Sequence, residues 1–139
     1  MKASVTWVDG RTFLGASGSG HAVVMDGAPE HGGRNLGVRP MEMLLLGVGG
    51  CTAFDVVMIL EKAREPVTDC RVEVEAERAE TDPKVFTRIH LRYIVTGRGL
   101  DRAKVERAVA LSKEKYCSAS IMMAQVAEMT AEIEVIEAA

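Results

Sequence analysis

Between Pro40 and Pro66 the chain runs through Met41-Glu42-Met43-Leu44-Leu45-Leu46-Gly47-Val48-Gly49-Gly50-Cys51-Thr52-Ala53-Phe54 and on to Leu60 with few polar side chains. A segment of that length and apolarity either crosses a bilayer or forms the core helix of a globular domain. Glu42 and Asp55 lie inside it, and Lys62 and Arg64 flank it at one end only, so it reads as a buried core helix. Pro40 suits a first helical turn, Glu42 favours a helix N-terminus, and the helix is expected to run to about Arg64 before Pro66 stops it. Such a helix is on the order of 36 Å long, and the other elements must be arranged around it.

Those other elements are mostly strands. Ala3, Val5 and Trp7 alternate with Ser4 and Thr6, and Asp9-Gly10 is a hairpin turn signal. Arg11 to Ala16 and His21 to Met25 read as the next two strands of a small meander, parted by Ser17-Gly18-Ser19-Gly20. Ala28 to Arg39 has no period and reads as an exposed, mobile loop. Cys70, Val72, Val74 and Ala76 alternate with charged residues, as do Ile89, Leu91, Tyr93 and Val95 beyond the Thr81-Asp82-Pro83 turn. Antiparallel pairing of those two strands sets an acidic row against a basic one. Asp101 caps a helix with the stripe Val105, Ala108, Val109, Ser112 and Tyr116. Ser118 to Met129 resembles another helix, and Glu132 to Val135 a last strand. The order βββ-α-ββ-αα-β makes an α+β domain spanning residues 1–139, with antiparallel sheets around the long central helix.

Charge excludes several classes of partner. Net charge is −3 and the bases are scattered, so neither nucleic acid nor an anionic membrane surface is indicated. The opening residues lack the apolar segment of a secretory signal, which points to the cytoplasm, where the three cysteines are kept reduced and form a transient disulfide at most. His21, His31 and His90 share no metal-ligand spacing, so no metal site is expected. The glycines between Gly15 and Gly20 lack the Lys and the following helix of a phosphate loop.

Cys51 and Cys117 read as a redox couple. Interior glycines Gly47, Gly49 and Gly50 each cost about 0.5 to 1 kcal/mol relative to alanine, so either a helix packs closely there or a ligand approaches the backbone beside Cys51. Cys51 lies mid-helix, beyond the reach of the helix dipole, with Asp55 at i+4 disfavouring a thiolate; taken alone it is as much an inert core residue as a nucleophile. Cys117 opens a helix beside Lys113 and Lys115, so local electrostatics favours it as the more acidic thiol. A reactive Cys51 needs an imported cation, for which Arg11, Arg34 and Arg39 are candidates. Cys70, on the apolar side of its strand, reads as buried filler.

Pro40 to Cys51, then Glu114-Lys115-Tyr116-Cys117-Ser118 with a helix and strand behind it, resembles the OsmC/Ohr family of thiol peroxidases over essentially the whole chain. Val5-Thr6-Trp7-Val8, Phe13-Leu14-Gly15 and Val56-Val57 make the likeness closest to the YhfA-like branch. The resemblance implies the OsmC-like fold as an intertwined homodimer, with two long central helices back to back and active sites at the subunit interface. It implies that Cys51 attacks peroxide and Cys117 resolves, reversing the order that local electrostatics suggests. It also implies activation of Cys51 by an arginine just after the first hairpin turn, which Gly10-Arg11 matches. The family's Pro-Glu at the helix start becomes Pro40-Met41-Glu42 here, and one residue turns a helical side chain by about 100°.

On this reading Cys51, Cys117, Arg11 and Glu42 are the catalytic residues, and Met41, Leu45 and Phe54 line the substrate site for apolar peroxides. A Cys51 sulfenic acid condenses with Cys117, and a dithiol or thiol reductant reopens the disulfide, with no metal or organic cofactor. The implied role is oxidative-stress defence. The alternatives are a redox-sensing or small-molecule-binding dimer of the same fold with weak or no turnover, motivated by the displaced Glu42, and a structural dimer with two incidental cysteines.

Overall fold

A computed structural model describes residues 1–139. Its elements are β1 (Ala3–Asp9), β2 (Thr12–Ser17), β3 (Ala22–Met25), α1 (Pro40–Lys62), β4 (Val67–Arg78), β5 (Phe86–Gly97), α2 (Arg102–Leu111), α3 (Ser118–Met123) and β6 (Glu128–Glu137). The chain divides into two compact units, Met1–Leu45 and Leu46–Ala139, with the boundary inside α1.

In the first unit β1, β2 and β3 form the expected antiparallel meander. Gly10 makes the first turn with φ of +53°, a conformation that glycine adopts without penalty. The segment after β3 is more organised than its composition suggests. The Asp26 carboxylate accepts hydrogen bonds from the Thr12 hydroxyl at 2.9 Å and from the amides of Gly27 at 2.7 Å, Arg34 at 3.3 Å and Leu36 at 3.4 Å. A short 3-10 turn at Pro29–His31 and a single bridge between Met25 and Val38 complete its path. The aperiodic sequence conceals an anchor because one carboxylate gathers donors distant in sequence.

In the second unit β4 and β5 pair in the expected register, with Glu73 opposite Arg92, Glu75 opposite His90 and Glu77 opposite Arg88. Ile89, Leu91, Tyr93 and Val95 are fully buried, as their alternation requires. Arg92 forms ion pairs with Glu73 at 2.8 Å and Glu132 at 3.2 Å across both neighbouring strands. The expectation of wholly antiparallel sheets fails at the last strand, for β6 runs parallel to β5 in the order β4-β5-β6. The intervening helical segment carries the chain back to the starting end of β5, the crossover that parallel strands need.

That segment is also divided differently. The α2 helix, capped by the Asp101 carboxylate accepting from the Ala103 amide at 3.0 Å, ends at Leu111. A π turn over Ser112–Tyr116 follows, closed by the Cys117 amide donating to the Ser112 carbonyl at 2.7 Å. This widened turn leaves Ser112 buried and Tyr116 exposed, breaking the anticipated stripe at its last member. α3 stops at Met123, and Glu128 and Met129 already belong to β6. Arg64, at φ of +59°, turns the chain out of α1, which ends at Lys62.

The face of α1 that carries Val48, Gly49, Thr52, Asp55, Val56 and Leu60 is buried. A Cβ on Gly49 would stand 3.1 Å from Val74 Cγ2, so close packing against β4 explains this glycine within one chain. Gly47 and Gly50 face open space.

Burial draws the Asp26 carboxyl upward, but its Gly27, Thr12, Arg34 and Leu36 donors prevail and hold it below the usual carboxylate range. A depressed carboxyl stabilises the fold above its unfolded pKa of about 3.9, and that stabilisation is lost as pH falls through the lower folded value. Asp26→Asn is therefore expected to be less stable than wild type at neutral pH, with the gap closing as pH drops below about 4. Urea unfolding between pH 3 and 7 checks this, and a gap independent of pH would refute it.

Candidate functional site

Cys51 and Asp55 stand one turn apart on α1, and Cys117 enters from the end of the π turn. Their ligating atoms, two sulfurs and a carboxylate oxygen, all lie within 4.8 Å of one another. The two thiols that are remote in sequence thus share one site in the second unit. Cys51 is half-buried, while Asp55 and Cys117 are buried.

A line of hydroxyls leads to this site. Ser112 Oγ donates to Asp55 Oδ2 at 3.0 Å, which leaves Ser112 to accept the Thr52 hydroxyl at 2.7 Å. Thr52 in turn accepts from Tyr93 at 2.7 Å. The carboxylate at one end fixes the direction of every bond, since it only accepts. Burial pushes the Tyr93 phenol up to about 12, against the opposing effect of its bond with Thr52, so it remains a donor throughout the physiological range. These four side chains tie α1 to β5 and to the end of α2.

The environment of Cys117 corrects the acidity expected from its local sequence. Its side chain is fully buried, and burial pushes the thiol up. Ser120 opposes that rise by donating to Sγ from its hydroxyl at 3.0 Å and its amide at 3.3 Å, while the neighbouring Cys51 reinforces it. The adjacent helix has only six residues, and Lys115 lies over the Tyr116 ring at 5.3 Å. Desolvation outweighs the helix start. Cys70 is only half-buried, and burial followed by the charge of Asp69 pushes its thiol up.

The remaining expected residues have local contacts within their own units. Glu42 Oε1 accepts the Arg39 amide at 2.8 Å, the return half of a capping box at the start of α1. Arg34 pairs with Asp9 at 3.3 Å and donates to Thr12 at 3.0 Å, and Arg39 donates to Asn35 at 2.8 Å. Arg11, in the first unit, reaches only its neighbouring Gly10 carbonyl, at 3.4 Å. It lines a pocket with Phe13, Met25, Asp26, His31 and Pro40. Met41 and Leu45 are half-buried in the first unit. Phe54, 69% exposed, borders an open groove with Gly50, Ala53, Val57, Met58 and Glu61.

Sequence reading missed Thr52, Tyr93, Ser112 and Ser120. Two signals were available: Thr52 and Asp55 lie three apart and share a face in an otherwise apolar helix, and Ser112 interrupts an apolar stripe.

The family profile described as "OsmC-like protein" matches residues 32–132. The chain belongs to the OsmC-like family. It is 50% identical to Protein YhfA of Escherichia coli, over 99% of this chain and all of that one. A hypothetical protein from Aquifex aeolicus has the same fold at 29% identity and a TM-score of 0.87, with 99% of this chain and 97% of that chain covered. The organic hydroperoxide resistance protein OsmC of Legionella pneumophila shares the fold at 18% identity and a TM-score of 0.71, with 96% of each chain covered.

Removing the Thr52 hydroxyl would leave the buried Tyr93 phenol without its acceptor and take from Ser112, which still donates to Asp55, the bond it accepts. Thr52→Val is expected to destabilise the chain by about 1 to 3 kcal/mol, and Tyr93→Phe, which deletes only the outer donor, by about 0.5 to 1.5 kcal/mol. Urea unfolding measures both, and equal stability of Thr52→Val and wild type would deny the line of hydroxyls a structural role.

Proposed function

We propose that this chain is a thiol-dependent peroxidase that reduces organic hydroperoxides or hydrogen peroxide. The proximity of Cys51 and Cys117 in one site carries this reading. The Cys51 thiolate attacks the terminal peroxide oxygen, the O–O bond breaks, and the departing alkoxide or hydroxide takes a proton. Cys51 is left as a sulfenic acid. Cys117 condenses with it, losing its thiol proton and releasing water as the disulfide forms. A dithiol or thiol reductant supplies the two electrons that reopen it.

Half-exposed Cys51 suits the attacking role and buried Cys117 the resolving one. Arg11 supplies the activating charge; it alone of the three candidate arginines has no side-chain acceptor in the chain. Glu42, engaged in its helix cap, acts on helix geometry rather than on Arg11. Met41, Leu45 and Phe54 give the substrate site its apolar character. The protein works in the cytoplasm, both compact units belong to one OsmC-like domain, and no cofactor takes part.

A second reading, a redox sensor or small-molecule-binding dimer with slow or absent turnover, draws on Asp55. Its carboxylate oxygen lies within 4.8 Å of both sulfurs, a third polar group that a simple two-thiol peroxidase does not need. Cumene hydroperoxide consumption with dithiothreitol separates the two. Cys51→Ser is expected to abolish turnover, and Cys117→Ser to complete one cycle and leave a dimedone-reactive sulfenic acid at Cys51. Arg11→Ala slows iodoacetamide alkylation of Cys51. Labelling of Cys117 in Cys51→Ser would reverse the roles, and a disulfide that forms without turnover in wild type would favour the sensor.

The working form is a homodimer with active sites at the subunit interface. Supporting this are the exposed Leu46, Phe54 and Met58 on α1 and the exposed Val5 and Trp7 on β1, surfaces that a single chain leaves wet. Gly50, with no atom near its absent side chain, permits a close neighbour. Wild type is expected to scatter light as a dimer and Gly50→Leu as a folded monomer. A monomeric wild type would defeat the proposal.

A further inference from the structure

The Asp55 carboxylate is poorly placed for a pair of thiols that must ionise and well placed for something else. The donor atoms of Cys51, Asp55 and Cys117 all lie within 4.8 Å of one another, and a bound cation that displaces the two thiol protons would offset the negative charge gathered there. We propose that Cys51, Asp55 and Cys117 form a binding site for a thiophilic divalent cation, Zn2+ being the ion that this donor set suits. Two thiolates and one carboxylate match the ligand preferences of zinc. Tetrahedral coordination, with Zn–S near 2.3 Å and Zn–O near 2.0 Å, sets donors roughly 3.5 to 3.8 Å apart. The cluster therefore has to contract by about 1.3 Å at most, within the reach of side-chain rotation.

The surroundings already hold these donors in place. Ser112 fixes one carboxylate oxygen at 3.0 Å and is itself oriented through Thr52 and Tyr93. Ser120 holds Cys117 Sγ with its hydroxyl at 3.0 Å and its amide at 3.3 Å. Such outer partners orient ligands in metal sites. Half-exposed Cys51 provides the way in. Binding releases two thiol protons to solvent and leaves the fourth coordination position to water. Three protein ligands and an open position describe an exchangeable ion rather than a structural one. Occupancy withholds both sulfurs from oxidation; this regulatory consequence rests on the peroxidase reading, whereas the binding does not.

The test uses the reduced full-length chain, titrated with Zn2+ against a chromophoric chelator and with Co2+ for its thiolate charge-transfer absorption. One ion per chain is expected, with the Co2+ band lost in Cys51→Ser and in Cys117→Ser. Asp55→Asn should weaken binding on the order of 10-fold or more, and Ser112→Ala, which keeps all three ligands, by about 10-fold. No binding, undiminished binding in Cys51→Ser, or unchanged affinity in Asp55→Asn would each overturn the site. Zinc loading is further expected to block formation of the Cys51–Cys117 disulfide by peroxide, with a chelator restoring it. If zinc binds as described while the metal-free chain resists peroxide, the peroxidase reading fails and the site stands. If peroxide forms the disulfide in a chain that ignores zinc, the site fails and the peroxidase reading stands.

Discussion

The hydroxyl of Thr52 is the joint on which the second unit depends. It receives the Tyr93 phenol from β5 and donates to Ser112 at the end of α2, so one short side chain on α1 is bonded to two other elements. Because the line terminates on Asp55, its polarity is fixed, and the carboxylate is held in one orientation. Buried hydroxyl networks are stable only when every member is satisfied, and every buried side-chain polar atom of this chain has a partner. The consequence is positional: the helix face that presents Cys51 is set relative to the turn that presents Cys117.

The π turn at Ser112–Tyr116 belongs to the same arrangement. An ordinary helical turn would continue the stripe of α2 through Tyr116; the wider turn holds Ser112 in the network and delivers Cys117 to the site. Wide turns of this kind are rare and recur at functional positions. Its presence beside Cys117 agrees with a turn kept for the placement of a sulfur.

The long helix contains two kinds of glycine. Gly49 is small because Val74 lies against it, a requirement met within one chain. Gly47 and Gly50 meet nothing, and apolar Leu46, Phe54 and Met58 are exposed on the same helix. Leaving so much apolar surface in water is unfavourable by roughly 25 cal/mol per Å2, which gives the assembly proposed for this family member its driving force.

By itself the sequence determined the local elements. The alternation in β5 placed Ile89, Leu91, Tyr93 and Val95 in the core, the charge rows set Glu73 against Arg92, and Asp101 began its helix, because strand pleat, cross-strand charge and capping act over a few residues. It also singled out Cys51 and Cys117 and the family to which the chain belongs. Tertiary structure alone decided the parallel placement of β6, the end of α3 at Met123, the anchoring of Ala28 to Arg39 by Asp26, and the burial that raises rather than lowers the Cys117 thiol. It alone brought Thr52, Tyr93 and Ser112 into one line ending on Asp55. A hydroxyl in an apolar helix or stripe has no partner in its own neighbourhood, and only the packing of three separate elements tells which groups satisfy it.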